Sequence, residues 1–180
     1  MPYQDIHQRV VDRCRTGDRK AQYELYKRYS KAMFNVSMRI TNDYTDAEDV
    51  LQEAFLNAFQ RIESFKGDST FGAWLKRIVV NQSISHIQKR RLSFRSMDEN
   101  LDQPDVPDGP DEEALHYQVE SIRKSIQQLP DGYRVVLSLY LLEGYDHQEI
   151  AEVLQITEST SKSQYSRARK KLLEMLKREN

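Results

Sequence analysis

A chain of 180 residues with 38% apolar and 31% charged side chains has room for one ordinary domain or two small ones, and its composition is that of soluble folded structure rather than disorder. No run approaches the roughly 18 apolar residues of a membrane span, and the charged N-terminus lacks an apolar signal-peptide core. A cytoplasmic protein with no membrane insertion is therefore expected. The net charge of −1 argues for no partner class, and the one cysteine (Cys14) with four scattered histidines gives neither a disulfide nor zinc spacing, so no metal or cofactor is expected.

Helical periodicity dominates from the start, and strand signals are weak. Residues 5–15 carry Ile6, Val10, Val11 and Cys14 on one stripe. Residues 19–40 do the same with Ala21, Leu25, Tyr29, Ala32, Met33, Val36 and Ile40. A third helix is predicted over 46–64, with Thr45 ahead of a first turn whose acids, Asp46 and Glu48, suit the helix dipole. Its apolar face runs from Val50 to Ile62, while the other face presents Asp46, Asp49, Gln52 and Glu53. Such an acidic face is commonly just solvated.

A polar loop from Lys66 to Thr70, containing Gly67, leads into a helix over 70–92. That helix opens with Phe71 and Trp74 and continues with Lys76, Arg77, Asn81, Ser85 and the run Lys89-Arg90-Arg91. Aromatic, basic and amide side chains together suit single-stranded DNA, whose bases stack and whose phosphates pair with cations. The same aromatics serve equally well as core anchors of an amphipathic helix.

Residues 96–113 are the predicted linker, holding Pro104, Pro107, Pro110 and Gly109 and almost nothing apolar. Eight of the 28 acids fall between 98 and 113, so the rest of the chain sets 20 acids against 27 bases, a net +7. The bases cluster in two acid-free stretches, 76–95 and 159–173, as two contacts with a polyanion would require.

Four more helices are predicted beyond the linker, over 114–128, 130–142, 147–154 and 158–177. Pro130 suits a first helical turn, Gly144 a left-handed terminus, and Asp146 with Glu149 a capping box. The last two helices, with a short turn and Thr157 as N-cap, have the grammar of a helix-turn-helix. Ser159, Lys162, Ser163, Ser166, Arg167 and Lys170 share one face of the second, as groove docking needs, with Gln164 in the same stretch. Two positions depart from the motif. Gln155 occupies a turn position often filled by Gly, and is expected to be left-handed at some cost. Ser161 stands where a branched apolar residue usually packs, and its hydroxyl is expected to bond back to a carbonyl one turn earlier.

The expected fold is all-α: two small helical domains, 1–95 and 114–180, joined by a flexible acidic linker over 96–113, with the helix-turn-helix in the second. No Gly-rich phosphate loop or paired nucleophile and base points to an enzyme. From the residues alone, a stand-alone helix-turn-helix regulator with an N-terminal interaction domain remains an alternative.

Three stretches in order, DAEDVLQEAF, FKGDSTFGAWLKRIVVN and LPDGYRVVLSLYLLEGYDHQEIAEVLQITESTSKSQYSRARKKL, resemble the bacterial RNA polymerase sigma factors of the extracytoplasmic-function (ECF) group of the sigma-70 family. The resemblance covers most of the chain. It implies a promoter-specificity subunit rather than an enzyme, with region 2 over 1–95 and region 4 over 114–180. Its implied partners are core RNA polymerase (the β′ clamp helices and the β flap), promoter DNA and an anti-sigma factor. Asp46, Asp49, Gln52 and Glu53 would face the clamp helices. A base flipped from the −10 element would enter a pocket at Phe65, Lys66, Asp68, Ser69, Thr70 and Phe71, with Trp74, Arg77 and Asn81 nearby. Ser159, Lys162, Ser163, Gln164, Ser166, Arg167 and Lys170 would meet the −35 duplex. Gln164 stands where the family commonly has Arg, which implies a different base preference, since Gln more readily reads adenine. The acidic linker would run through the polymerase's basic channels.

Overall fold

The computed structural model describes residues 8–94 and 113–178. Ile6 and the predicted linker over 96–113 lie outside the described residues, except for Glu113, which opens a helix. Among the described residues the chain is helical without a strand: α1 (Gln8–Arg15), α2 (Arg19–Thr41), α3 (Tyr44–Gln60), a 3-10 turn (Ile62–Ser64), α4 (Phe71–Phe94), α5 (Glu113–Gln127), α6 (Asp131–Leu141), α7 (His147–Leu154) and α8 (Glu158–Arg178). It divides into two compact units, Met1–Gln88 and Lys89–Asn180.

In the first unit, side chains satisfy the helix ends. The Asp18 carboxylate accepts from Lys20 N and Ala21 N at the start of α2. Asn42, left-handed at φ 56°, ends that helix with its N–H on the Met38 carbonyl. Asp43 then caps α3 by accepting from Asp46 N at 2.9 Å. The predicted start at Thr45 was two residues late: Asp43 is at least as good a cap, and Thr45 lies inside the first turn. The predicted helix 46–64 also breaks at Arg61 into the 3-10 turn that aims the following loop.

The stripes of α1 to α4 meet in a core that fully buries Val11, Leu25, Ile40, Val50, Phe65, Phe71, Leu75, Val79 and Val80. Helices α2 and α4 approach closely at two places. The Ser83 hydroxyl reaches the Ser37 hydroxyl at 3.2 Å, and a Cβ on Gly72 would lie 2.9 Å from a ring carbon of Tyr29.

In the second unit α6 is the central helix, and Arg134 through Leu139 are six consecutive buried residues. Leu129, Leu137, Ala168 and Leu172 form one buried cluster of its core, with Ile126, Tyr133, Tyr165, Met175 and Leu176 packed against them. The buried Arg134 guanidinium is held by Asp131 at 2.8 Å and by the Leu129 carbonyl at 3.3 Å. Burying a charge is tolerable only with such partners. No helix among the described residues is long and apolar enough to cross a membrane.

Candidate nucleic-acid and partner interfaces

On α3, Asp49, Gln52 and Glu53 are all exposed, one helical turn apart on one face. Asp46 differs from them. It is half-buried, and its carboxylate lies 3.0 Å from His86 Nε2 on α4. Of the four residues expected to face a partner, three are open and one is engaged inside the unit. Glu48 is drawn aside as well: it accepts from the Tyr44 phenol, and that bond pushes the phenol above its ordinary range.

The loop between the 3-10 turn and α4 is anchored from beneath. Phe65, Phe71 and Trp74 form a triangle of rings with centroids 5.4 to 5.8 Å apart, and Tyr29 adds a fourth ring 5.5 Å from Phe71. Arg15 at the end of α1 donates from Nη2 to the Phe65 carbonyl at 2.6 Å, while its Nη1 pairs with Asp12 at 2.9 Å. The Thr70 hydroxyl caps α4 by accepting from Ala73 N at 3.1 Å. Gly67 takes φ +79°, a left-handed turn that a side chain would strain.

This arrangement divides the nine residues expected around a flipped base. Phe65 and Phe71 are 2% and 0% exposed and form the floor of the loop, closed to a base in this conformation. Lys66, Asp68 and Ser69 are exposed at its rim, with Thr70 half-buried in its capping role. Trp74, Arg77 and Asn81 continue along one side of α4 at intervals of three and four, the first half-buried and the others exposed. Of the two sequence readings of the aromatics, core anchors fit Phe71, while Trp74 keeps a partly open edge. Arg15 was missed, because it lies 50 residues from the carbonyl it holds and no local pattern joins them.

In the second unit the expected caps and the left-handed turn residue are present. Asp146 and Glu149 complete the capping box: Glu149 N donates to the Asp146 carboxylate at 2.8 Å, and Asp146 N donates to the Glu149 carboxylate at 3.0 Å. Gln155 is left-handed at φ 56°. The Thr157 hydroxyl accepts from Thr160 N at 3.1 Å. Ser159, Lys162, Ser163, Ser166, Arg167 and Lys170 are all exposed along α8. Within that face Lys162 is ion-paired to Glu158, and the Ser163 hydroxyl donates to the Ser159 carbonyl at 2.9 Å. Gln164 is half-buried, and its side-chain oxygen lies within 4 Å of the space a Cβ on Gly132 would fill. It stands at the edge of the face, turned toward the start of α6.

Ser161 departs from expectation. Its buried hydroxyl meets His147 Nδ1 on α7 at 2.9 Å rather than a carbonyl of its own helix. The His147 ring stacks on Tyr140 (4.6 Å, 17°) and meets Tyr165 edge-on (5.6 Å, 66°). His147 drew no attention in the sequence, since a histidine opening a short helix reads as an ordinary surface residue.

Comparison with known proteins identifies the family. The family model for sigma-70 region 2 matches residues 25–92, and that for sigma-70 region 4 matches residues 120–172. The chain is 32% identical to the RNA polymerase sigma-H factor of Pseudomonas aeruginosa over 98% of each chain. It is 34% identical to the ECF RNA polymerase sigma-E factor of Haemophilus influenzae over 94% of each. Among solved structures, the sigma factor RpoE from Bartonella quintana, in complex with the anti-sigma factor NepR, is similar with a TM-score of 0.61 at 22% identity, covering 86% of this chain and 96% of that one. Matched over nearly its whole length at this level, the chain belongs to the ECF group of bacterial RNA polymerase sigma factors.

Proposed function

We propose that this sigma factor joins core RNA polymerase through the exposed acids of α3, traps the non-template strand of the −10 element at the Lys66–Thr70 loop and α4, and reads the −35 duplex with α8. The observation that carries the reading is the segregation of charge within the first unit. Helix α3 exposes Asp49, Gln52 and Glu53, whereas α4 exposes Arg77 and Asn81 beside a half-open Trp74. An acidic helix favours a basic protein surface, and a basic, amide and aromatic one favours a nucleic-acid strand. Region 2 would span 1–95 and region 4 would span 114–180. The acids of 96–113 would follow a basic channel of the polymerase.

In this reading Asp49, Gln52 and Glu53 meet the β′ clamp helices, and Asp46 supports them from within through His86. Flipping a base costs a few kcal/mol of stacking, which contacts at the loop rim and Trp74 must offset. Region 4 would also contact the β flap. An anti-sigma factor, the kind of partner present with the Bartonella quintana protein, would hold the chain inactive by covering these faces. The site of action would be the cytoplasm.

The test is transcription in vitro with core polymerase on a promoter library, with start sites mapped. Initiation at a set of promoters sharing −35 and −10 elements is expected. Asp49→Arg should cut polymerase affinity at least tenfold with an unchanged melting temperature. Absence of initiation, under conditions where another sigma factor initiates, would overturn the proposal.

A further inference from the structure

We propose that His147 is a positioning residue for promoter reading: it sets the angle at which α8 is presented, through the Ser161 hydroxyl. The proposal rests on the −35 reading given above.

One imidazole ties three helices together. His147 is the first residue of α7. Its ring lies flat on Tyr140 of α6, and Tyr165 of α8 closes on its edge. Tyr140 and Tyr165 are themselves 4.6 Å apart, so the three rings form one cluster. From within that cluster Nδ1 reaches the Ser161 hydroxyl at 2.9 Å. Ser161 is fully buried and, with Tyr165, lies on the inner side of α8, one turn apart. Between and beside them on the outer side stand Lys162, Ser163, Ser166 and Arg167.

A buried hydroxyl behaves differently from the branched apolar side chain that usually fills this position of the motif. An apolar contact is non-directional and lets one helix slide or roll on another. A hydrogen bond has a preferred length and direction, and a buried polar atom left without one is costly. The ring's orientation is fixed by two tyrosines, so the bond transmits that orientation to α8. Because the hydroxyl can donate or accept, the link does not need one particular histidine tautomer. Recognition tolerates little displacement, since bidentate reading of a base edge fails when the side chains shift by a fraction of an ångström.

The experiment measures transcription by the holoenzyme from two promoters that differ only in the −35 element, one native and one scrambled, the native one taken from the library selection above. Core polymerase affinity and melting temperature are measured alongside. His147→Phe keeps the stack but strands the Ser161 hydroxyl, and Ser161→Ala strands the ring nitrogen. Each is expected to lower the native-to-scrambled ratio about tenfold, the effect of one lost buried hydrogen bond, with polymerase affinity unchanged. His147→Asn, which places an amide atom close to Nδ1, should recover much of the ratio. In the double variant His147→Phe with Ser161→Ala, no polar atom is stranded, so the melting temperature should return toward wild type while the ratio stays low.

A ratio that simply follows the melting temperature, and recovers in the double variant, would reduce the pair to packing and overturn the proposal. So would an unchanged ratio in all variants. If His147→Phe does not fold, Ser161→Ala and His147→Asn decide the question. Failure of the wild-type holoenzyme to distinguish the two promoters would remove the −35 reading itself, and this proposal with it.

Discussion

Cys14 sits in the core at 2% exposure, and burial, reinforced by the charge of Asp18, pushes its thiol up to about 11. The folded chain therefore binds that proton more tightly than the unfolded chain. The resulting stabilisation is complete below the ordinary value of 9.0 and is lost as pH rises toward 11. At pH 8 the native protein should resist iodoacetamide and react only after denaturant is added; alkylation of the folded chain at the rate of a free thiol would refute this. Arg15 makes a second test at this scale. Its guanidinium holds the Phe65 carbonyl, where the Lys66–Thr70 loop proposed to meet the −10 strand begins. A hydrogen bond from a charged group is worth roughly 1.5–3 kcal/mol. Arg15→Ala should accordingly lower strand opening at −10 by about tenfold or more, read by permanganate footprinting, with polymerase affinity preserved. Arg15→Lys should be intermediate, because one ammonium reproduces the point charge but not the planar fork that spans Phe65 and Asp12. Equal opening by wild type and Arg15→Ala would show that the loop needs no such brace.

At the scale of the element, what was legible in the sequence was what is local. Periodicity placed the eight α-helices found among the described residues, because each stripe needs only its own neighbours. The capping box at Asp146, the left-handed Gln155 and the Thr157 cap depend on residues within one turn, and each formed as expected. The break at Arg61 was hidden because Ile62 continues the apolar stripe of α3. Faces were legible, but what each face meets was not. The same period that puts Asp46 with Asp49 and Glu53 could not reveal that His86, forty residues on, claims it. Phe71 and Trp74 read equally well as base platform or core anchors, because the rings of Phe65 and Tyr29 that pack against Phe71 come from elsewhere in the chain. The exposed face of α8 also proves uneven. Lys162 already has Glu158 as a partner, whereas Lys170 makes no ion pair among the described residues. Each cation that neutralises a phosphate contributes about one unit to the slope of log affinity against log salt. Lys170→Ala should reduce that slope for −35 duplex binding by about one. Lys162→Ala should reduce it less, since binding DNA must first release Glu158. Equal slopes for both variants would show that the Glu158 pair has no influence.

For the molecule as a whole, the near-zero net charge masks a division. Eight carboxylates over 98–113 stand in a chain whose remainder is +7. Charge of opposite sign tethered to a nucleic-acid reader competes with nonspecific phosphate binding at every sequence alike. Replacing the eight acids of 98–113 with amides should therefore tighten binding of the free protein to random duplex DNA and steepen its salt dependence. Unchanged affinity at low salt would show that the insert does not compete. Under the proposed function, two promoter contacts carried by one chain would gain affinity when both engage together, which would favour a promoter over isolated half-matches.

The joint between α7 and α8 also constrains how such a protein can change over generations. A serine and a histidine that complete one another inside the fold form a two-residue trait. Replacement of one alone strands the other's polar atom, and only replacement of both restores a contented interior. Lineages that exchange Ser161 for a branched apolar residue should therefore have exchanged His147 as well. Promoter preference would then drift in steps, each step a paired substitution at a site that never touches DNA.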